Sequence, residues 1–310
     1  MRIVFMGSGT FAIPSLEALI DAGHEVAAAV TQPDKEKGRG RDLAPPPLKP
    51  VALARGVPVL QPRRVKLPEA QEELRRLAPE LQVVVAYGQI LPRTVIDLAP
   101  RGTVNVHASL LPAYRGAAPV QWAIVRDEAT TGVTTMMIDE GLDTGPTLLA
   151  RATPIGADET APELETRLAR MGAALLLETI DGLVNGSVQP RPQDHERATL
   201  APIIQKEDGR VDWHQPARAI ECRLRGFHPW PGTTAQASGR ALKILRAKAL
   251  AEGGAEPPGT VVSIDRDGVV VACGAASRLR LIEVQPESRK AMSAAAFAAG
   301  ARLVPGVPLG

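Results

Sequence analysis

The first 140 residues carry a rhythm that narrows the fold to one class. Short apolar runs recur: Ile3-Val4-Phe5-Met6, Val26 to Val30, Val83-Val84-Val85, then Val104-Asn105-Val106. Between them lie stretches with helical spacing, such as the charged amphipathic segment at 68–78. A strand that is apolar at every position, not at alternate ones, is buried on both faces. Such strands alternating with helices predict an α/β layer: a Rossmann-like, mostly parallel sheet with helices on both faces. The pattern predicts strands at 2–6, 25–30, 82–87, 102–106 and 132–139. It predicts helices at 12–22, 68–78, 92–98, 120–127 and 160–184. The last has Thr160 as a cap, Glu163 three residues on, and Gly186 just past its end.

A chain of 310 residues is long for one core, so two domains are expected. The texture changes at VQPRPQDHERATLAP (188–202), whose prolines and polar groups read as an extended linker. A helix at 216–226 follows. Beyond 232 come short β-like runs (TTAQA, LKILRAKAL, GTVVSID, GVVVAC, RLRLIEV) broken by Gly, Pro and Asp-Gly. They predict a small, OB-like C-terminal β-barrel. The expected division is an α/β domain at 1–187, a linker at 188–204 and a barrel domain at 205–310.

Net charge is +2, unevenly spread. Residues 206–310 hold 15 Lys and Arg against 10 Asp and Glu, whereas residues 1–205 hold 21 against 24. A basic domain of this kind can bind a polyanion, or simply carry surplus Arg on its surface. The segment TQPDKEKGRGRDLAPPPLKP (31–50) adds Lys35, Lys37, Arg39, Arg41 and Lys49 among glycines and prolines. It exceeds the ~2–6 residues usual in a βα loop, and reads equally as a phosphate grip or a solvated insertion. No apolar run approaches the ~18 residues of a membrane helix, so no membrane partner is expected. The two cysteines form no spaced ligand set and the five His are scattered, so neither a metal site nor a disulfide framework is expected. The opening lacks a signal-peptide pattern. A cytoplasmic protein with Cys222 and Cys273 as small buried hydrophobes is the expectation.

The chemistry concentrates in NVHASLLPAYRGAAPVQW, residues 105–122. Strand residues two apart face the same way, so Asn105 and His107 can point into one space at the end of a parallel strand. That edge is where open α/β sheets keep their sites. An Asn amide can donate to an oxyanion, and a His can move a proton near neutral pH. The following DEGLDTGP (139–146) supplies a carboxylate, Asp143, in a glycine-flanked loop. Ser109 lies too close to His107 along the strand to form a nucleophile–base pair. The set therefore favours direct transfer to a substrate amine without a covalent intermediate. A competing pattern is Gly7-Ser8-Gly9-Thr10-Phe11-Ala12 with Asp34 further on, which fits a dinucleotide fingerprint. Pro14 and Pro33 argue against it. The same glycines also serve a plain tight turn, or amides facing an anionic substrate. His24, His195, His214 and His228 read as local packing residues, Trp122 as core, and Trp230 as a structural anchor.

Taken together, these segments resemble the 10-formyltetrahydrofolate-dependent formyltransferases. MGSGTFAIPSLEAL, TQPDKEKGRG, VVVAYGQILP, IQKEDGRVDW, FHPWPGT and RKAMS extend the likeness, in order, over nearly the whole chain. The GLDTG piece is common across the family. The GRG loop with the PWPG-bearing C-terminal domain is similar to the branch that formylates a charged tRNA. The resemblance implies 10-formyltetrahydrofolate as donor, initiator methionyl-tRNA as acceptor, no metal, and a monomeric enzyme of translation initiation. It implies that Asn105 bonds the oxyanion, His107 assists proton movement, and Asp143 holds His107 and relays the proton. Ser109, Leu110, Leu111 and Pro112 would line the folate pocket, with Val85, Tyr87, Gly88, Ile90 and Leu91 at the pterin. Arg39 and Arg41 would reach the acceptor stem, and Lys206 the tRNA backbone. Asp42 stands where relatives tend to be basic, which weighs against Arg41 more than Arg39. The rival readings are a formyltransferase for a small amine, a nicotinamide-dependent oxidoreductase, and a non-catalytic RNA-binding protein.

Overall fold

The computed structural model describes all residues except 38–41, 238 and 252. Its central sheet has seven strands: β1 (Arg2–Gly7), β2 (Glu25–Val30), β3 (Val59–Leu60), β4 (Leu81–Val85), β5 (Thr103–His107), β6 (Thr130–Met137) and β7 (Thr147–Pro154). The spatial order is β7-β6-β5-β4-β1-β2-β3. The five strands from β5 to β3 run parallel. Strands β6 and β7 add an antiparallel edge. The helices of the first 200 residues are α1 (Ile13–Asp21), α2 (Leu48–Ala54), α3 (Pro68–Arg76), α4 (Arg93–Ile96), α5 (Pro119–Val125) and α6 (Ala161–Asn185). The expected mostly parallel α/β sheet is therefore present.

The strands form where the apolar runs are. Every residue of β4 is buried, including Gln82, its second residue. A buried amide must find partners. The Gln82 Nε2 donates to the Val95 carbonyl (2.7 Å) and to Thr103 Oγ1 (2.9 Å), while Thr103 donates to the Ile96 carbonyl (2.8 Å). These bonds fasten α4 beneath β4 and β5. Ala86, at φ +48°, ends β4 two residues before the predicted limit. Pro14 falls within the first turn of α1, where its missing N–H costs nothing. Helix α2 and strands β3 and β7 were not foreseen. The proline-dense 45–50 stretch obscures the helical spacing of α2, and β3 is only two residues long.

The chain divides into two compact units. One comprises Met1–Pro119, Thr130–Pro154 and Leu164–Ala201, the other Val120–Ala129, Ile155–Glu163 and Pro202–Gly310. The polar stretch at 188–201 belongs to the first unit, extended at both ends with a short 3-10 turn at His195–Arg197 between them. Arg191 and Thr147 exchange backbone bonds of 2.8 Å, and Leu200–Ala201 pairs in parallel with Arg115–Gly116.

The second unit is antiparallel. It holds α7 (Ala217–Gly226), β8 (Thr233–Ala237), β9 (Arg240–Leu250), β10 (Val261–Asp265), β11 (Gly268–Cys273), β12 (Ser277–Pro286), β13 (Met292–Ser293) and α8 (Ala294–Ala301). The strand order is β8-β9-β12-β11-β10, with β13 on β12. The last residues join the two end strands. Val261 N–H donates to the Val307 carbonyl (2.9 Å), and Gly310 N–H to the Gln236 carbonyl (2.9 Å). Ile244, Val271, Leu279, Leu281, Ile220 and Leu309 meet in its core.

Candidate active site

Strand β5 carries Asn105 and His107 at alternate positions, as its period requires. Strand β6 runs antiparallel beside it, so its last residue, Met137, lies opposite Val104 near the start of β5. The loop at 138–146 then folds back and brings Asp143 to the far end of β5. There the carboxylate Oδ2 of Asp143 lies 3.6 Å from Nδ1 of His107 and accepts the Gly116 N–H at 2.8 Å. The other imidazole nitrogen, Nε2, is 2.9 Å from the Tyr114 carbonyl oxygen. His107 is only 6% exposed.

The loop follows from its own residues. Asp139 accepts from the Gly141 N–H (3.0 Å) and the Thr144 hydroxyl (2.7 Å), closing the turn. A Cβ on Gly145 would sit 1.9 Å from the Met137 carbonyl, so only glycine passes there. Asp143 itself sits at φ +52° and Tyr114 at φ +62°. For a residue with a Cβ this left-handed region costs about 1–2 kcal/mol. Both strained residues touch His107, and such outliers gather where geometry serves function.

The Ser109-Leu110-Leu111-Pro112 segment shapes the turn that returns the chain to His107. Ser109 Oγ donates to the Ala113 carbonyl (2.6 Å). Thr134 Oγ1 donates to the Ser109 carbonyl (2.7 Å) and accepts the Leu111 N–H (3.1 Å). Ser109 is fully buried.

Beside this cluster opens a pocket of about 200 Å³. Asn105 and Asp143 line it; His107 does not, and meets Asp143 at 3.6 Å. Of the residues expected at the pterin, Ile90 and Leu91 are in its wall. Val84, Gln89, Met136, Ile138 and Asp139, not singled out from the sequence, are there as well. Val85 is core, Gly88 is exposed at φ +81°, and the Tyr87 ring is packed among Val4, Met6 and Val30. Burial pushes the Tyr87 phenol up to about 12. Gln89 pins the pocket loop by accepting the Val65 N–H (2.8 Å) and donating to the Pro62 carbonyl (3.2 Å).

The glycine turn after β1 serves internal packing. Ser8 Oγ accepts the Gln32 N–H (3.0 Å) and donates to the Tyr87 carbonyl (3.1 Å). A Cβ on Gly7 would meet Ala12, Phe5 and the Val85 carbonyl inside 3 Å. Asp34, the acid a dinucleotide site would use, is already bonded by Gln61 (2.7 Å) and by the Lys49 ammonium (2.8 Å). These two contacts hold its carboxyl below the usual range. Lys49 is thus engaged within the fold.

Lys206 is exposed, in the second unit. Arg39 and Arg41 lie outside the described residues. Among the described residues, no group of three or more His, Cys, Asp or Glu is placed to hold a metal ion, and no helix is long and apolar enough to cross a membrane.

Residues 1–180 match the family model for formyl transferase, and residues 203–302 match that for the formyl transferase C-terminal domain. The chain is 51% identical over 310 residues to the methionyl-tRNA formyltransferase of Citrifermentans bemidjiense, covering 100% of this chain and 96% of that one. Among solved structures, the sugar 3N-formyl transferase WlaRD, in the presence of dTDP and 5-N-formyl-THF, aligns with a TM-score of 0.68. Its sequence identity is 17%, over 94% of this chain and 99% of that one. HypX from Aquifex aeolicus, in complex with tetrahydrofolic acid, aligns with a TM-score of 0.64 at 18% identity, over 97% of this chain and 47% of that one. At such identities the structural matches speak for the fold.

Proposed function

The chain belongs to the formyl transferase family, and from that premise we propose that it moves the formyl group of 10-formyltetrahydrofolate onto the α-amine of methionyl initiator tRNA. One observation carries the chemical part: an amide donor, Asn105, and a carboxylate, Asp143, share the wall of one pocket, with an imidazole directly behind the carboxylate. The substrate part rests on full-length similarity to a methionyl-tRNA formyltransferase and on the matched C-terminal domain.

The pocket suits the donor. Its apolar wall (Ile90, Leu91, Met136, Ile138) can take a flat heteroaromatic ring, and Gln89 and Asp139 offer polar groups nearby. In this reading Ser109, Leu110, Leu111 and Pro112 line the folate site on the side of the β5 turn, and the backbone around Val85, Tyr87 and Gly88 meets the pterin.

The donor supplies an activated formyl carbon. The methionyl amine attacks it, a C–N bond forms, and the carbonyl electron pair moves onto oxygen. The Asn105 amide donates to that oxyanion, a preorganised contact whose worth rises away from water. The attacking nitrogen loses its proton to the Asp143–His107 pair, which holds it between Oδ2 and Nδ1. The oxyanion's electron pair then returns to carbon and re-forms the carbonyl, the bond from the formyl carbon to N10 breaks with its pair going to nitrogen, and N10 takes up that proton. No atom of the protein is consumed.

Residues 1–187 would perform this chemistry and residues 205–310 would hold the RNA, joined by 188–204. The domain's surplus of positive charge, Lys206 included, suits phosphates, which position an RNA more than they specify it. Arg39, with Arg41, would meet the acceptor stem. We place the enzyme, as a monomer, in the cytoplasm with its tRNA. The deciding experiment compares formyl transfer to charged initiator methionyl-tRNA with transfer to glycinamide ribonucleotide. Activity confined to the tRNA supports the reading. Activity confined to the small amine keeps the chemistry and overturns the substrate.

A further inference from the structure

We propose that Gln193, held by Arg115, is a positioning residue that sets the Asp143 carboxylate against His107. Both side chains are more than nine-tenths buried. Gln193 comes from the polar stretch after α6, distant in sequence from every other part of the site. Its Nε2 donates to two carbonyls of the aspartate loop, Asp143 (2.8 Å) and Gly145 (2.7 Å). Its Oε1 accepts from Arg115 through Nε (3.1 Å) and Nη2 (2.7 Å).

These contacts fix which way the amide points. Reversed, it would set its oxygen against two carbonyl oxygens and its NH2 against a guanidinium. The amide therefore works as a strut of fixed polarity between the guanidinium and the loop. Arg115 has a second hold on the same residue through its neighbour, because the Gly116 N–H donates to Asp143 Oδ2 (2.8 Å). The dipeptide Arg115-Gly116 thus grips Asp143 at both ends: its carboxylate directly, and its backbone carbonyl through Gln193. The dipeptide is itself paired with Leu200–Ala201. A residue at φ +52° needs such a clamp, because its backbone would otherwise relax. A misplacement of about 1 Å in a reacting group can cost ~100-fold in rate.

This inference rests on the proposed formyl transfer, and its test separates the two. In Gln193→Glu one carboxylate oxygen still accepts from Arg115, which keeps the buried guanidinium paired, but both donors to the loop are gone. Kinetics and amide hydrogen exchange are measured on the full chain. The expected result is a kcat reduced ~10–100-fold with KM for both substrates within ~threefold, the pattern of an interaction made in the transition state. Exchange at the Gly116 amide should accelerate while amides of β1 and β4 keep their protection. In an Asp143→Asn background the same substitution should add less than ~threefold, because both changes act through one carboxylate. Unchanged kcat with unchanged Gly116 exchange overturns the proposal, as does a full multiplicative loss in the Asp143→Asn background. Should the wild type transfer no formyl group at all, the function fails, while the Gly116 exchange still decides whether Gln193 holds the loop.

Discussion

The Nε2–H of His107 donates to the Tyr114 carbonyl at 2.9 Å. A carbonyl only accepts, so Nε2 must carry the hydrogen, and in the neutral ring Nδ1 is left with its lone pair. Nδ1 faces Asp143 Oδ2 across 3.6 Å, two acceptors with no hydrogen bond between them. A proton shared between them would require the two atoms to draw together into hydrogen-bond range.

His107→Ala removes the basic nitrogen. It should lower kcat at least ~100-fold, the usual scale of acid–base assistance, while the enzyme stays folded by circular dichroism. Activity within threefold of the wild type would remove His107 from the chemistry. Asp143→Asn can still accept the Gly116 N–H through its amide oxygen, but it cannot share a proton with Nδ1. A loss of similar size is expected, with KM little changed.

Asn105 makes the other half of the site. It lines the same pocket as Asp143. Asn105→Ala should cost ~100–1,000-fold in kcat, as removal of one oxyanion donor does elsewhere. Single-turnover formyl transfer measures it. A change confined to KM would show that the amide only binds substrate.

That Asn105 and Asp143 meet at one pocket with His107 near Asp143 was legible because period two and a glycine-flanked acid are local signals. The parallel sheet was legible because doubly buried strands are apolar throughout. Gln193 and Arg115 were not, because their meaning lies in a contact spanning 78 residues, and the prolines around Gln193 read as a linker. The pocket walls Met136 and Ile138 look like any apolar residues of a strand and its end. Ser109 to Pro112 enter the expectation through the resemblance alone; in the structure Ser109 and Leu111 hydrogen-bond within the turn after β5. Trp230, expected as an anchor, is 58% exposed, while Trp122 packs edge-on against Phe227 at 5.7 Å between centroids.

Arg39 tests the basic loop. Arg39→Ala should raise KM for methionyl-tRNA and leave folate binding unchanged, measured by steady-state kinetics with each substrate varied in turn. Loss of a phosphate contact should also flatten the salt dependence of tRNA binding. The opposite pattern, weakened folate with unaltered tRNA, would assign the loop to the donor.

Neither thiol should react in the folded protein. Cys222 and Cys273 are buried, and burial disfavours the thiolate. It pushes Cys222 up to about 11, with help from the adjacent Asp127 carboxylate, and Cys273 up to about 12. At pH 8 a thiol titrating near 11 is ionised in roughly one molecule in a thousand. Iodoacetamide at pH 8, read by mass spectrometry, should label both only after denaturation. Fast labelling of either in the native state would mean that its surroundings open readily.

The C-terminal tail closes the second unit. Val307 accepts from Val261, Gly306 donates to the Val261 carbonyl (2.8 Å), Leu309 donates to the Gly259 carbonyl (2.8 Å), and Gly310 pairs with Gln236. The tail thereby bonds the open side of β8 at Gln236 and that of β10 at Val261. Leu309 is buried in the core of this unit. Leu309→Ala should destabilise that unit by ~2–4 kcal/mol, within the range for deleting a buried leucine side chain. Deleting 304–310 should go further, because it also removes the tail's bonds to the edges of β8 and β10, and freed strand edges recruit other chains. Thermal unfolding should show a lowered transition for both variants, and size exclusion should show self-association only for the deletion. A deletion variant that unfolds and elutes like the wild type would mean that the tail rests on a sheet already complete without it.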